Sequence, residues 1–579
     1  MADFLLCRGE AAQATARTLQ ARLARAGLSV SPLFEDPGCS LLARAGADET
    51  SEDAFWQPDA DTWILRSGLF SHRALSGAEA LRSFLAAFDP DAPDLAETRG
   101  QFTLVIRKAS RLHLLGDALG TNKIHHDTGH RLFSNLFIAV AEGLEAPGID
   151  AQGCYEYVWN GVPGGERSFF NELRTLPPGR MAVLSDAAAP QLVALPPLDI
   201  DEDSAAPDET MADAAARQCA RLQAVTEQNR RAFGDRVNLL FSGGYDSRLL
   251  LALLLDAGIR PRLSVYGRPG DLDREIAATV AKGEGLDFSP VDKAMVPTPP
   301  PDAFGDTVLA DYAAFDGWRV TGLFDSGADR ADRQAQAGGG WAKMNGSLGE
   351  IHRNFFYLPD RPYSARQLVQ SFYARYDPRA MTARFDADAY EETMARAVMA
   401  AVGADGPRLT RRQVELVYPL FRGRYWTARE VPLNQGFGLY LTPFMEPAAI
   451  KGTPDWPIGW KSHGIIEAAM IARLSPRLAG YPSVYGRPFD QPPSWRERLR
   501  AQASYRRPLW LRRLSYRLQQ GRPGTLPDYL SPERLAAVMQ PGFPYMRALF
   551  RLERIADPDA FNRIATLEFL AQRYSAREG

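Results

Sequence analysis

Six residues concentrate the chemistry of this chain: Ser242, Gly243, Gly244, Tyr245, Asp246 and Ser247. Paired glycines let a backbone adopt positive φ and approach a bulky anion, and successive N–H groups in such a turn form an anion-binding hollow. Ser242 and Ser247 add hydroxyl donors. Asp246 is the odd member, because a carboxylate repels phosphate. It makes sense there if a divalent cation such as Mg²⁺ lies between the two. The stretch reads as a pyrophosphate cradle with a metal anchor. The plainer alternative is a tight turn in which Asp246 caps a helix. A Walker loop is excluded, since no Gly-Lys-Ser/Thr follows, and neither His-Glu-x-x-His nor Gly-x-Gly-x-x-Gly occurs.

Two elements must hold such a turn. The run directly before it, 239–241, is apolar, as expected of a parallel strand covered on both faces. The run after it carries Leu249, Leu250, Leu251, Leu253, Leu254 and Leu255, which suits a helix packed inside a core. This strand–turn–helix puts the turn at the carboxyl end of a sheet, where open α/β folds bind ligands. The alternation continues with a strand at 262–267, a helix ending at Gly285 and a third strand near 288–293. It predicts a parallel α/β sheet. Residues 360–579 read as mostly helical. Residues 1–195 are rich in short strands instead, with a hairpin turning at 108–111. Residues 196–212 are acidic, contain proline and have few large apolar side chains, the composition of a linker. The expected organisation is 1–195, a linker over 196–212, and 213–579.

The 579 residues suit about two to four domains. Apolar content of 45%, charged content of 24% and a net charge of -3 are ordinary for a globular protein and argue against a polyanion binder. No apolar run approaches the roughly 20 residues of a membrane span, and the first residues lack a signal-peptide core. Cys7, Cys39, Cys154 and Cys219 share no metal or disulfide spacing. A cytoplasmic protein is the expectation. His113, His125, His126 and His130 cluster along the chain and are expected on hairpin surfaces rather than at a metal. Segment 493–522 is strongly basic with Trp, Tyr and Leu interleaved. It suits an acidic partner, RNA or a membrane surface, or else a helical pair with a solvated arginine face.

Ser-Gly-Gly-x-Asp-Ser after a buried strand resembles the pyrophosphatase loop of the N-type ATP pyrophosphatases. The order of later landmarks resembles the asparagine synthetase superfamily, which includes β-lactam synthetases and lasso-peptide cyclases. The resemblance implies a parallel α/β synthetase unit, adenine-nucleotide α-hydrolase-like, with a helical extension. It implies ATP and Mg²⁺, with nucleotide contacts from Leu240, Ser242, Gly243, Gly244, Asp246 and Ser247. Val265, Tyr266 and Gly267 would flank the base, and Asp273 would cap the next helix. Residues 344–350 resemble the family's second loop, so Gly346 and Ser347 would face the nucleotide and Glu350 would share Mg²⁺ with Asp246. Two departures stand out. The family's lysine before its last helix aligns with Ile465, leaving Lys461, four residues earlier, either to swing in or to be a plain surface lysine. The tyrosine of the β-lactam synthetase dyad aligns with Ser347, and Glu430 falls roughly where the dyad's glutamate would.

Gly100, Phe102, Asp117 and Gly120 resemble the glutaminase domain of the same superfamily, an Ntn-hydrolase-like fold. Active glutaminases place a cysteine directly after the initiator methionine, where its own amine serves as base. This chain begins Met-Ala-Asp, and Cys7 has no free amine. The resemblance therefore implies an inactive scaffold without an ammonia supply. The expected function is an ATP-dependent cyclase. It would adenylate a side-chain carboxylate of a precursor peptide and let the peptide's N-terminal amine displace AMP, as lasso-peptide cyclases do. A leader peptidase or leader-binding protein would be its partner. The alternatives are a β-lactam-synthetase-like or other small-molecule amide ligase, and a nucleotide-binding protein without turnover. A nucleic-acid modifier is disfavoured by the near-neutral charge.

Overall fold

Phe102–Lys108 and Arg111–Gly116 form an antiparallel hairpin with Lys108 opposite Arg111, as the spacing predicts. Ala109 and Ser110 both have positive φ, 52° and 60°, the sense of twist a two-residue hairpin turn requires. The structure, a computed structural model, describes residues 3–44, 51–185, 189–202, 209–509, 511, 512, 515 and 526–577.

The hairpin lies within a six-stranded antiparallel sheet of order Gln191–Ala194, Arg180–Leu184, Arg111–Gly116, Phe102–Lys108, Thr62–Gly68, Phe55–Asp59. A second antiparallel sheet of six strands runs Leu173–Thr175, His125–Asp127, Leu132–Ser134, Asp3–Arg8, Cys39–Arg44, Ser31–Asp36. Side chains alternate across a strand, so each sheet offers two faces. Phe4, Leu6, Leu41 and Phe133 of one sheet meet Trp63, Val105 and Leu114 of the other in a shared apolar layer. Helix Gly77–Ala87 covers one outer face through Leu81 and Phe84, and helix Ala12–Arg25 covers the other through Ala16, Leu19 and Leu23. The layers run helix, sheet, sheet, helix.

This arrangement corrects the expectation of surface histidines. His113, His125 and His126 are buried, because they sit on interior strands rather than at turns. His126 packs in a cluster of near-parallel rings with His130 and Phe133, its ring centroid 5.0 and 5.7 Å from theirs. The four cysteines are buried and free, and burial pushes the Cys7 thiol up to about 12, helped by Cys39 and Asp127.

The alternating segment does form a parallel sheet, of order Phe288–Val291, Arg262–Tyr266, Val237–Leu240, Ala342–Met344, Tyr440–Leu441. The chain starts at the centre, adds two strands on one side, then returns to add two on the other. The carboxyl ends of Val237–Leu240 and Ala342–Met344 therefore diverge into loops of opposite sense, the switch point at which open sheets bind ligands. Helix Leu272–Glu284 closes on Gly285 in the left-handed conformation, as expected. Its N-cap position belongs to Asp271, not Asp273, which lies in the first turn.

The acidic stretch read as a linker is anchored where it is described: Lys451 pairs with Asp199 at 2.9 Å, and Gly452 N–H donates to the Ile200 carbonyl at 2.9 Å. Residues 203–208 lie outside the described residues. From 360 on the chain is mainly helical, including a π-helix, Tyr418–Thr427. Of the basic segment, Trp495–Tyr505 is a helix without a buried residue, while 510, 513, 514 and 516–522 lie outside the described residues. Among the described residues no helix is long and apolar enough to cross a membrane.

Candidate functional site

A cleft of about 520 Å³ opens at the switch point. Two loops frame it. The first, after Val237–Leu240, leads into helix Tyr245–Asp256, whose free N–H groups and partial positive charge face the opening. Gly243 has φ +42° and packs on Ile276, where a Cβ would come within 2.8 Å of the side chain. Gly244 is the helix N-cap residue, extended, with no side chain to block the turn. Ser242 N–H donates to Ser247 Oγ at 3.2 Å, which closes the loop. Beneath it the fully buried Arg248 donates to the carbonyls of Leu478, Tyr481 and Pro482 at 3.2, 3.0 and 2.7 Å. That grip ties the loop to the segment behind it.

The second loop follows Ala342–Met344. Asn345 Oδ1 accepts from Ser347 N–H and Ser347 Oγ, both at 2.7 Å. The two loops interlock without spare room. A Cβ on Gly346 would stand 3.0 Å from Asp246 Cβ, and one on Gly349 would overlap the Asp246 carboxylate. Gly349, absent from the expected site, is thus what lets Asp246 and Glu350 come together. Its spacing was visible in the sequence, but its neighbour was not.

Of the expected residues, Leu240, Ser242, Asp246, Ser247, Val265, Tyr266, Gly346, Ser347 and Glu350 line the cleft. Gly243, Gly244 and Gly267 shape the loops without lining it. Tyr266 is fixed at the wall, its hydroxyl donating to Asp332 at 2.8 Å. Lys461 and Glu430 do not line the cleft. Lys461 is buried, its Nζ donating to Glu415 at 2.6 Å. Glu430 accepts from Arg333 at 2.7 Å.

Other residues take the space. The π-helix Tyr418–Thr427 brings Tyr418, Arg422, Trp426 and Thr427 to the cleft. Arg422 makes no ion pair with any described carboxylate, and its guanidinium stacks 4.2 Å from the Trp426 ring centroid. Burial lowers its affinity for a proton. Behind Asp246 and Glu350, Arg353 lines an adjoining pocket rather than the cleft and gathers the carboxyl groups. It donates from Nη2 to Asp246 and from Nη1 to Tyr485 at 2.9 Å, with Nη2 3.6 Å from Glu350 and Nε 3.3 Å from Glu467. Tyr418 in turn donates to Glu350. Glu467 has no exposed surface, and its carboxyl is pushed well above its usual range by burial and then by Asp246. Asp246 is raised to about 6, by burial first, against the pull of Arg353 and with the push of Glu350. Burial and mutual repulsion thus push both carboxyls of this pair towards their protonated forms.

Mg²⁺ between Asp246 and Glu350 does not fit these residues. The position is filled by the Arg353 guanidinium, and the second Asp246 oxygen is buried against Gly349 with no partner. Displacing Arg353 would leave a guanidinium, 19% exposed, without its carboxylates, at a cost of about 3–5 kcal/mol.

No family model matches the chain, and no curated protein matches it. Among solved structures it is similar to the allosteric regulatory enzyme of purine biosynthesis, at 10% identity and a TM-score of 0.24, over 52% of this chain and 82% of that one. It is also similar to glutamine phosphoribosylpyrophosphate amidotransferase from B. subtilis complexed with ADP and GMP, at 10% identity and a TM-score of 0.23, over 50% of this chain and 65% of that one. Likenesses of this size carry no inference, and the site stands on its own residues.

Proposed function

We propose that this chain is an ATP-dependent, AMP-forming amide ligase whose substrate is a peptide carrying both a side-chain carboxylate and a free amine, closed to a macrolactam. The observation that carries the nucleotide reading is the interlock of two glycine-bearing loops around Asp246 at the sheet's switch point. Loop N–H groups, the N-terminus of helix Tyr245–Asp256 and the unpaired Arg422 favour an anion in the cleft. A carboxylate oxygen of the substrate attacks the α-phosphorus of ATP, and the bond to pyrophosphate breaks. The amine nitrogen then attacks the acyl carbon, the bond to AMP breaks, and the amine proton passes to Glu350, a carboxylate of the cleft wall. The four-layer N-terminal unit fits the reading of an inactive Ntn-type scaffold, because the Cys7 thiol is buried and held far from its thiolate form.

Incubation with ATP and a candidate peptide should yield AMP, pyrophosphate and a product lighter by one water. Asp246→Asn should lower AMP formation by about 100-fold with the circular dichroism spectrum unchanged. Turnover at the wild-type rate in that variant sinks the reading.

A second reading, nucleotide binding without turnover, is favoured by Lys461 and Glu430, both committed to ion pairs away from the cleft. ATP binding by calorimetry without AMP formation on any substrate would select it.

A further inference from the structure

We infer that Arg353 takes the place between the two loop carboxylates, which consequently hold a guanidinium instead of a divalent metal ion. The inference deepens the nucleotide reading and rests on it for the cleft's purpose, but its core concerns only this chain's side chains.

Two observations carry it. Arg353 spends all three of its nitrogens on the site: Nη2 reaches Asp246 and Glu350, Nη1 donates to Tyr485, and Nε lies against Glu467. The backbone is built to allow this, because Gly349 leaves the space that a side chain would take from Asp246. Arg422, which lines the cleft, makes no ion pair with a described carboxylate and remains available to an incoming anion. A divalent ion at the same point would face a guanidinium within the same ring of oxygens, a like-charge contact the site cannot relieve without expelling Arg353.

A fixed guanidinium differs from an ion in its consequences. It cannot be removed by chelation, it does not depend on metal concentration, and its planar fork fixes the direction of its hydrogen bonds. Phosphate binding at this cleft should accordingly need no metal held by the chain.

The test uses Mn²⁺ alone as probe, its binding followed by electron paramagnetic resonance on the full-length protein. Wild type should show no site that depends on Asp246 up to millimolar Mn²⁺. Arg353→Met, which frees Asp246, Glu350 and Glu467, should gain one site per chain, and adding Asp246→Asn should remove it. Arg353→Lys, which keeps a cation there, should stay without one and serves as the folded control. A wild-type Mn²⁺ site weakened tenfold or more by Asp246→Asn overturns the inference, as does a folded Arg353→Met protein that binds no more Mn²⁺ than wild type. In parallel, the affinity for a fluorescent ATP analogue in EDTA should lie within threefold of that in Mg²⁺, and a loss of tenfold or more in EDTA also overturns it. Failure to bind nucleotide under either condition would remove the nucleotide reading while the Mn²⁺ result still decides the place of Arg353.

Discussion

Asp246 and Asp329 are both secluded aspartates bonded to arginine, yet their surroundings drive them in opposite directions. Asp329 lies within reach of three cations: Arg333 at 2.9 Å, Arg319 at 3.1 Å, and Lys293. Burial raises its carboxyl, but Arg333, Arg319 and Lys293 together overcome that and hold it far below the usual range. Asp246 has one cation, Arg353, shared with two further carboxyl groups, and it is pushed up to about 6. In the first network a single carboxylate is surrounded by three cations. In the second, one guanidinium is shared by three carboxyl groups, two of which, Asp246 and Glu350, border a cleft. Glu430 belongs to the first network through Arg333, which explains why a residue expected to do chemistry stands apart from the site.

Removing Arg333 should break the first network most severely. Arg333→Met leaves Asp329 and Glu430 without their shared partner and should cost about 3–5 kcal/mol in urea unfolding. Gly349→Ala acts on the other network by pressing a methyl group against Asp246. It should cost about 1–3 kcal/mol and reduce ATP affinity measured by calorimetry. Glu467→Gln should cost less than about 1 kcal/mol at pH 7, since burial and Asp246 push the carboxyl it replaces towards its protonated form. A larger loss would mean that Glu467 is ionised. The finest separation is in pH. Asp246 rises from 3.8 to about 6 on folding, so wild type should lose stability relative to Asp246→Asn as pH climbs through that window. Asp329 moves down from 3.8, so wild type should lose stability relative to Asp329→Asn as pH falls below about 4. Paired denaturation series from pH 3 to 7 should show slopes of opposite sign.

The sheet and its first loop were legible because they rest on local signals: a doubly covered apolar strand, two glycines, and a leucine-rich helix. The hairpin at 108–111 was legible for the same reason. The charged wall was not. Arg353 pairs with Asp246, which lies over a hundred residues earlier in the chain, and no local pattern encodes that meeting. Lys461 was open to misreading because a lysine does not announce its partner, and Glu415 lies on another helix. The buried histidines were misread because residues next to turns resemble surface residues until a second sheet covers them. Arg422 was missed because a π-helix displaces side chains from the positions that α-helical spacing predicts.

The largest apolar cluster does not stop at the acidic stretch near residue 200. It joins Phe137 and Tyr157 to Trp318, and its members include Tyr312 and Leu570. Near the far end of the chain, Arg577 N–H donates to the Pro147 carbonyl at 2.8 Å. Anyone cutting the gene at that stretch to express two pieces would expose an oily seam on each, and the sensible preparation is the undivided polypeptide or both fragments produced in the same cell.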